Sequence, residues 1–394
     1  MADNKDKKVL NAPHLRFPEF RGEWEKCSIQ DYGEVVTGNT PPTSHAEYYE
    51  NGSYLWASPA DLGINKNITE TKTKLSLSGF KKTRNIPKGS VLVTCIGSTI
   101  GKMGMATETM SSNQQINSIV VNDKSNSDFV YYAICRAFPR YLSEVSVQAV
   151  PILSKSNFEK LPNYTTCRDE QAKIGYFLNL LDERIATQNK VIEDLKKLKS
   201  AIAERVYNCR TYQLYRIGDV IEQVSKRNNS MSIDKVLSVS NKLGFINQSE
   251  QFEDRIVASE DTSNYKIVYK DDFAYNPARI NVGSIARLKH FNKGIVSPMY
   301  ICFRVKQGIV LDYLEYFFTT NYFFYEMQKR LEGSVRQCLS FEGLCNIPIY
   351  IPNLDEQQKI GRKVSVIMEK IDNENRYLDS LKMQKQYLLR QMFI

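Results

Sequence analysis

The sequence predicts an α+β protein in which two globular α/β domains are joined by two long antiparallel helices that form a coiled coil. Three observations support this prediction. The stretch D-E-Q-A-K-I-G at 169–175 recurs as D-E-Q-Q-K-I-G at 355–361, 186 positions later. Apolar residues continue from each copy at alternating steps of four and three, which is typical of a coiled-coil seam. Short strand-like runs precede each copy. The chain is therefore predicted to contain the same unit twice, a domain followed by a long helix, with the two units related by a pseudo-two-fold axis.

The two helices are predicted over 169–207 and 355–392, each about 57 Å long at about 1.5 Å per residue. Neither can pack wholly against a domain of about 150 residues, whose radius of gyration is about 15 Å. Since the first helix enters the segment 208–354 and the second leaves it, the second should run back beside the first. The predicted seam residues are Ile174, Leu181, Ile185, Gln188, Ile192, Leu195 and Lys199 in the first helix and Ile360, Ile367, Ile371, Glu374, Leu378, Leu381 and Lys385 in the second.

The seam contains two polar positions in each copy, Gln188 and Lys199 in the first and Glu374 and Lys385 in the second. Single polar seam residues can fix the register of a coiled coil. The pseudo-two-fold axis predicts that Lys199 faces Glu374 and that Gln188 faces Lys385. The alternative interpretation of the pattern is a long helix that packs only on its own domain.

The repeat divides the chain into five segments: a disordered or loosely docked tail at 1–14, a domain at 15–168, a helix at 169–207, a domain at 208–354 and a helix at 355–394. Strands are predicted at 54–58, 91–96 and 116–121, followed by a helix at 128–141. In the second domain, strands are predicted at 236–239, 266–269, 273–275 and 300–305, followed by a helix at 312–331. Pro162 and Pro348 are predicted to mark the entry to the long helices.

Composition limits the class of protein. The apolar fraction of 42% and the charged fraction of 25% are those of a soluble globular protein. No apolar run approaches the roughly 18 residues of a membrane span, and the N-terminus lacks a signal peptide, so we expect a cytoplasmic protein. The eight cysteines are scattered without a C-x-x-C pair and only three histidines are present, which predicts reduced thiols and no metal site. The net charge of +9 suits a polyanionic partner.

Two stretches suggest enzymatic chemistry, and neither fits it. The loop G-S-T-I-G-K at 97–102 has three residues between its glycines and Met103 after its lysine, whereas a phosphate loop needs four and a Ser or Thr. It more plausibly forms a tight turn in which small residues let the backbone approach a ligand. Asn276-Pro277 begins like an amino-methyltransferase loop, but the aromatic platform for a flipped base is missing. Three histidines, at 14, 45 and 290, support no catalytic triad. We therefore predict no catalytic residue.

The loops of both domains are instead polar and basic. Arg, Asn and Gln side chains can contact base edges, while Lys and Ser suit phosphates. The candidate DNA-binding residues of the first domain are Lys72, Lys74, Lys81, Lys82, Arg84, Ser98, Thr99, Lys102, Asn113, Gln114 and Gln115. Those of the second domain are Lys226, Arg227, Ser240, Asn241, Lys242, Tyr275, Asn276, Arg279, Asn281, Ser284 and Arg287. For any single residue, a solvated loop side chain is the competing interpretation.

The chain resembles the specificity (S) subunit of type I restriction-modification systems. The likeness includes L-R-F-P-E-F-R-G-E-W at 15–24, both D-E-Q-x-K-I-G repeats, L-S-V-S-N-K-L-G-F at 237–245 and F-A-Y-N-P-A-R-I-N-V-G-S-I-A at 273–286. The resemblance implies two target-recognition domains, at 15–168 and 208–354, which read the two parts of a split DNA site.

The resemblance also implies partners. Two modification subunits would bring S-adenosylmethionine and methylate adenine, and motor-nuclease subunits would bring ATP, Mg and cleavage, so no cofactor is expected on this chain. Apolar residues off the seam, such as Phe177, Val191 and Tyr377, could bind the modification subunits or pack within the chain. A self-sufficient bivalent DNA-binding regulator or architectural protein is the alternative function.

Overall fold

The computed structural model describes residues 11–144, 151–241, 243–248, 261–333 and 336–394. The chain divides into two compact units. Unit 1 consists of Met1–Lys190 and Arg376–Ile394, and unit 2 of Val191–Asn375. The division falls within both long helices, so each unit contains half of each one.

Unit 1 begins with a short strand, a one-turn helix and a second strand, and its described strands form a five-stranded, a four-stranded and a two-stranded sheet. Its strands are β1 Glu25–Ser28, β2 Gly33–Thr37, β3 Tyr54–Ala57, β4 Asn67–Ile68, β5 Thr73–Leu75, β6 Asn85–Ile86, β7 Val91–Thr94, β8 Met103–Ala106, β9 Met110–Ser112, β10 Ile116–Val121 and β11 Pro162–Thr165. Its helices are α1 Ile29–Tyr32, α2 Leu77–Phe80, α3 Ser127–Glu144, α4 Lys155–Glu159 and the first half of α5 Arg168–Tyr207. The sheet orders are β2-β10-β7-β8-β4, β5-β3-β9-β6 and β1-β11.

Unit 2 repeats the beginning and end of this plan with different sheets between them. Its strands are β12 Gln213–Arg216, β13 Ile221–Val224, β14 Leu237–Ser240, β15 Gly244–Asn247, β16 Lys266–Tyr269, β17 Phe273–Tyr275, β18 Ile285–Arg287, β19 Lys293–Val296, β20 Ile301–Val305 and β21 Pro348–Ile351. Its helices are α6 Ile217–Val220, α7 Leu311–Phe317, α8 Asn321–Gln328, α9 Phe341–Cys345 and the first half of α10 Leu354–Gln391. The sheet orders are β13-β20-β17-β18, β14-β15, β16-β19 and β12-β21.

The two long helices are observed where they were predicted, with 40 residues in α5 and 38 in α10. Within unit 1, Ile174 and Leu178 of α5 share a core with Leu388 and Met392 of α10. Within unit 2, Ala203 and Tyr207 of α5 share a core with Ile360 and Val364 of α10. The numbering rises along one helix as it falls along the other, so the predicted antiparallel pair is confirmed. All fourteen predicted seam residues are buried or half-buried.

The structure records other polar contacts for three of the polar seam residues, while the predicted pairs Lys199 with Glu374 and Gln188 with Lys385 stay predictions. Lys385 Nζ lies 2.5 Å from Asp182 Oδ1, about six residues from its predicted partner Gln188. Glu374 pairs with Lys370 of its own helix, at 2.5 Å, while Lys199 lies near Asp372. Burial of Lys199 lowers the pKa of its ammonium, although the charge of Asp372 opposes this. The apolar period determines which face is buried, but not the offset between two helices. Aromatic residues that anchor the helix ends, including Tyr207 and Phe393, can set that offset.

The repeated D-E-Q-x-K-I-G motif joins each long helix to an earlier helix of its unit, α3 in unit 1 and α7 in unit 2. The Gln171 amide donates to Thr166 O at 2.8 Å and accepts from the Asn126 N–H, also at 2.8 Å, beside the start of α3. The Gln357 amide likewise donates to Pro352 O at 3.0 Å and accepts from the Val310 N–H at 2.9 Å, beside the start of α7. Each glutamine therefore satisfies an N–H group that a helix leaves without an intrahelical acceptor.

The glycine of the motif allows a close approach of helices in both units. A Cβ on Gly175 would lie 2.8 Å from Asn126 Oδ1 and 2.8 Å from Asp128 Cβ. A Cβ on Gly361 would lie 3.2 Å from Asp312 Cβ. Glycine thus permits both contacts, and the contact in unit 1 is the tighter one.

A cation contacts the second residue of the helix in each unit. In unit 1, buried Lys66 Nζ lies 2.5 Å from Asp128 Oδ1 and 2.9 Å from Asn179 Oδ1 of α5. In unit 2, Arg287 Nη2 lies 2.7 Å from Asp312 Oδ1, and its Nε lies 3.3 Å from Glu315 Oε2. Buried ions need such partners because their desolvation is costly.

Two local predictions need correction. The helix predicted at 312–331 is broken between α7 and α8, because Thr320 caps α8 by accepting from the Phe323 N–H at 3.0 Å. Pro162 and Pro348 begin β11 and β21, which pair with β1 and β12 before the long helices start. Of the tail predicted at 1–14 as disordered or loosely docked, residues 11–14 are described, and Asn11 O accepts from the Trp24 N–H at 2.6 Å.

Candidate nucleic-acid interface

In unit 1 the candidate cations lie around the sheet formed by β5, β3, β9 and β6. Lys72, Lys81, Lys82 and Arg84 are exposed, whereas half-buried Lys74 is paired with Glu70 at 2.8 Å. These cations can contact phosphates because they lie beside short edge strands and turns.

The segment after β2 connects these cations to the next loop. Asn39 Nδ2 donates to Lys82 O at 2.9 Å, and the Arg84 N–H donates to Asn39 Oδ1 at 2.8 Å. The neighbouring Thr40 hydroxyl donates to Gln114 Oε1 at 2.5 Å. The sequence analysis missed Asn39 and Thr40, although T-G-N-T-P-P at 37–42 is a turn signal that could have identified them.

The predicted turn at 97–101 is observed between β7 and β8, where Gly97 and Gly101 have φ of +98° and +89°. Exposed Ser98 and Lys102 and half-buried Thr99 belong to this turn. Gln115 Nε2 donates to Ile96 O at 3.4 Å, which places the turn beside the loop that carries Gln114. A strand follows the turn rather than a helix, so the backbone lacks the geometry of a phosphate loop.

Asn113 is a correction to the candidate set of unit 1. It is 8% exposed, its amide donates to Gln115 Oε1 at 3.1 Å, and its Oδ1 accepts from the Gln115 N–H at 3.1 Å. Asn113 therefore shapes the loop, while Gln114 is the exposed side chain.

In unit 2 several candidates converge on one concavity of about 610 Å³. The predicted residues that line it are Ser240, Asn241, Asn276, Arg279 and Ser284. The lining residues that the sequence analysis missed include Gln248, Tyr265, Ser297, Met299, Tyr300 and Arg336.

The hairpin between β17 and β18 positions two of these side chains. Asn276 Oδ1 accepts from the Ala278 N–H at 3.1 Å, and the Asn276 N–H donates to Ser284 O, also at 3.1 Å. A 3-10 turn follows at Ile280–Val282, and Gly283 closes it with a φ of +89°. Exposed Arg279 and Asn281 extend from this turn, and Arg279 lines the concavity.

The chemistry of the concavity suits base edges. Its lining combines the amides of Asn241, Gln248 and Asn276 with the guanidinium groups of Arg279 and Arg336. Within the part of the chain that the structure describes, no carboxylate lines it. Amides donate and accept, and arginines donate in pairs, so this set can recognise the edges of A and G.

Lys226 and Arg227 are exposed on the same side of unit 2 as Tyr265, which lines the concavity. Arg227 Nη1 donates to Asn264 Oδ1 at 3.0 Å, and Lys226 O accepts from the Ile267 N–H at 2.8 Å. These cations can add phosphate contacts beside the concavity. Lys242 lies outside the described residues.

Three candidates in unit 2 have partners within the unit. Tyr275 is 0% exposed and its hydroxyl donates to Leu339 O at 3.2 Å. Ser284 is 4% exposed and its hydroxyl donates to Val239 O at 2.9 Å. Arg287 is held by Asp312 and Glu315. All three side chains are thus engaged by contacts within unit 2, and their predicted role in DNA binding stays a prediction.

The described residues also bear on metal sites and membrane spans. No cluster of His, Cys, Asp and Glu there could hold a metal ion. None of the described helices combines the length and the apolar character that a membrane span requires.

The eight cysteines are free thiols, and burial raises the pKa of both Cys95 and Cys302 to about 12.

Comparison with known proteins agrees with this architecture. The family model described as "Type I restriction modification DNA specificity domain" matches the chain twice, over residues 21–197 and 210–383. The MjaIX specificity subunit of a type I restriction enzyme from Methanocaldococcus jannaschii is 25% identical over 410 residues, which is 93% of this chain and 92% of that protein.

Two solved structures share the fold. An S subunit of a type I restriction-modification system from M. genitalium has a TM-score of 0.64 at 17% identity, covering 97% of this chain and 99% of that one. A chain from a study of complex assembly in a type I R-M system has a TM-score of 0.55 at 13% identity, covering 94% and 97%. The family model matches twice, and each match contains one copy of the repeated motif and most of one long helix. The chain therefore belongs to the family of type I restriction-modification specificity subunits, with two DNA specificity domains.

Proposed function

We propose that this chain reads an asymmetric, bipartite DNA site with its two domains, as the non-catalytic subunit of a restriction-modification complex. The observation that carries the proposal is the amide- and arginine-lined concavity of unit 2, which none of the described carboxylates lines. The loops of unit 1 offer a different set of side chains, with exposed Lys82, Arg84 and Gln114. Since the two sets differ, each domain should read a different half-site.

The long helices would set the spacing between the two half-sites. Inserting four residues at matching places in both α5 and α10 would lengthen the pair by about 6 Å, which is about two base pairs of DNA. We expect the tolerated spacer to increase accordingly, and an unchanged spacer would contradict this role. The family resemblance supplies the expected partners: two modification subunits that carry S-adenosylmethionine and motor-nuclease subunits that carry ATP and Mg.

Mapping methylated adenines across the genome with and without this gene tests the proposal. One asymmetric split motif should lose its methylation when the gene is deleted and regain it on complementation. A motif that persists without the gene would contradict the proposal. Tight binding of the isolated chain to its site, without any effect on methylation, would instead support an independent regulator.

A further inference from the structure

The first copy of the repeated motif holds an N-terminal arm, which we define as residues 11–24. Nε and Nη2 of Arg16 donate to the two carboxylate oxygens of Glu170, at 2.7 and 2.8 Å. Glu19 of the arm pairs with Lys173, three residues further along α5. The Glu170 side chain is 0% exposed as a result. The acid and the lysine of D-E-Q-A-K-I-G therefore form a binding site for an arginine and a carboxylate.

The arm makes further contacts on the same helix. The Phe17 ring meets Phe177 edge-on at 6.0 Å, and Lys173 Nζ lies 4.7 Å from the centre of the Phe17 ring. Arg16 Nη1 also donates to Gly22 O at 2.6 Å, which keeps the arginine extended towards Glu170. The arm is thus a short loop that covers the start of α5, with its two ends joined by the hydrogen bond from the Trp24 N–H to Asn11 O at 2.6 Å.

The second copy of the motif has the same acid and lysine, but their side chains are more exposed and contact each other. The side chains of Glu356 and Lys359 are 39% and 66% exposed, and Glu356 Oε2 lies 3.9 Å from Lys359 Nζ on its own helix. Glu356 lines a concavity of about 870 Å³, together with Tyr212, Asp219 and Leu354. The charge of Glu356 raises the pKa of Tyr212 further, although burial contributes most of that shift.

Unit 2 is too short at this place to supply its own arm. Helix α5 ends at Tyr207 and β12 begins at Gln213, so only residues 208–212 connect them. Thr211 and Tyr212 of that connection already form part of the wall of the concavity. This connection is therefore too short to supply an arm of the length of residues 11–24.

We propose that Glu356, Lys359 and the adjoining concavity bind a surface loop of a partner protein that presents an arginine and, about three residues later, a carboxylate. The arginine would bind Glu356 as Arg16 binds Glu170. Lys363 follows Lys359 by four residues, where α5 has Phe177, so the second copy offers a cation in place of the aromatic contact with Phe17. This inference concerns a protein partner and does not depend on how the chain reads DNA.

The probe is a fluorescent synthetic peptide with the sequence of residues 11–24, titrated with the full chain and followed by fluorescence anisotropy. We expect saturable binding that Glu356→Gln weakens at least tenfold. The matched control Glu369→Gln, an exposed acid on the same helix, should bind as the unchanged chain does. A peptide with Arg16→Gln should also bind at least tenfold more weakly, and its binding should be insensitive to Glu356→Gln.

A photo-crosslinker in place of Phe17 of the peptide identifies the bound site. Crosslinks to residues 354–363 would support the proposal. Crosslinks to 170–177 would overturn it, since the peptide would then be exchanging with the chain's own arm. Absence of binding at about 1 mM peptide, or equal binding by Glu356→Gln, would also overturn it.

Discussion

The two units share the residues that attach a long helix to a domain but differ in the residues that face outward. Gln171 and Gln357 make equivalent hydrogen bonds, and Gly175 and Gly361 allow equivalent close contacts. Unit 1, however, presents turns connected through Asn39, whereas unit 2 presents a concavity built on one hairpin. The comparison teaches that the contacts between long helix and domain are the same in both units, whereas the loops on the outer surface differ. Such a difference is needed if each unit is to read its own half-site, as we propose.

The largest expected difference concerns the buried cation of each unit. Asp128→Ala should destabilise unit 1 by about 3–5 kcal/mol, because it removes a partner from Lys66, whose side chain is only 4% exposed. Asp312→Ala should cost less, since Arg287 retains Glu315 at 3.3 Å. Hydrogen exchange of the amides in each unit measures both effects. Equal losses of stability in the two units would show that Glu315 does not compensate for the loss of the Asp312 carboxylate.

The Arg16–Glu170 pair should make the stability of unit 1 depend on pH. Burial raises the pKa of Glu170, but the hydrogen bonds from Arg16 and Thr166 outweigh it, so the net pKa lies below 4.5. A lowered pKa means that this contribution is present above pH 4.5 and is lost as the pH falls through the folded-state value.

Arg16→Gln should therefore cost about 2 kcal/mol at pH 7 and progressively less below about pH 4. Both tryptophans, Trp24 and Trp56, lie in unit 1, so their fluorescence during urea unfolding reports on this unit. A cost that stays constant between pH 7 and pH 3 would contradict the assignment.

Substitutions in the concavity of unit 2 and in the basic turns of unit 1 should lower DNA affinity in different ways. Arg279→Gln should cost about 2 kcal/mol at the specific site and relax one base position, because Arg279 lines the concavity. Lys82→Gln should cost less and affect all sequences alike, as expected for a phosphate contact. Lys196→Gln, an exposed cation on α5, is the matched control. Binding of the assembled complex to specific and scrambled duplexes at several salt concentrations measures all three variants.

The smallest effect should come from the motif glycines. In unit 1, the higher helix propensity of alanine should raise the free energy of unfolding of Gly175→Ala by about 1 kcal/mol. The new Cβ would clash with Asn126 and Asp128, so we expect a net decrease of about 1 kcal/mol. In unit 2, Gly361→Ala meets Asp312 Cβ at 3.2 Å and should be close to neutral. Hydrogen exchange across α3 and α7 measures the difference. A greater loss in unit 2 would reverse this comparison.

The long helices and the repeat could be predicted from the sequence because periodicity is a local property of the chain. The polar contacts between the helices could not, since the pairing of Lys385 with Asp182 joins residues 203 positions apart and the period of one helix does not encode it. The same limit applies to the recognition loops. Tyr275, Ser284 and Arg287 are polar residues beside Asn276 and Arg279 in sequence, but the hairpin directs them inward. Asn39 contributes through contacts with residues more than forty positions away, which no sequence window contains.

The most direct test of separable reading is a genome-wide map of methylated adenines for two paired variants. Lys82→Gln with Arg84→Gln alters unit 1, and Asn276→Ala with Arg279→Gln alters unit 2. The account predicts that each pair weakens or relaxes one half of the split motif and leaves the other half and the spacer unchanged. Loss of specificity in both halves from either pair would contradict it.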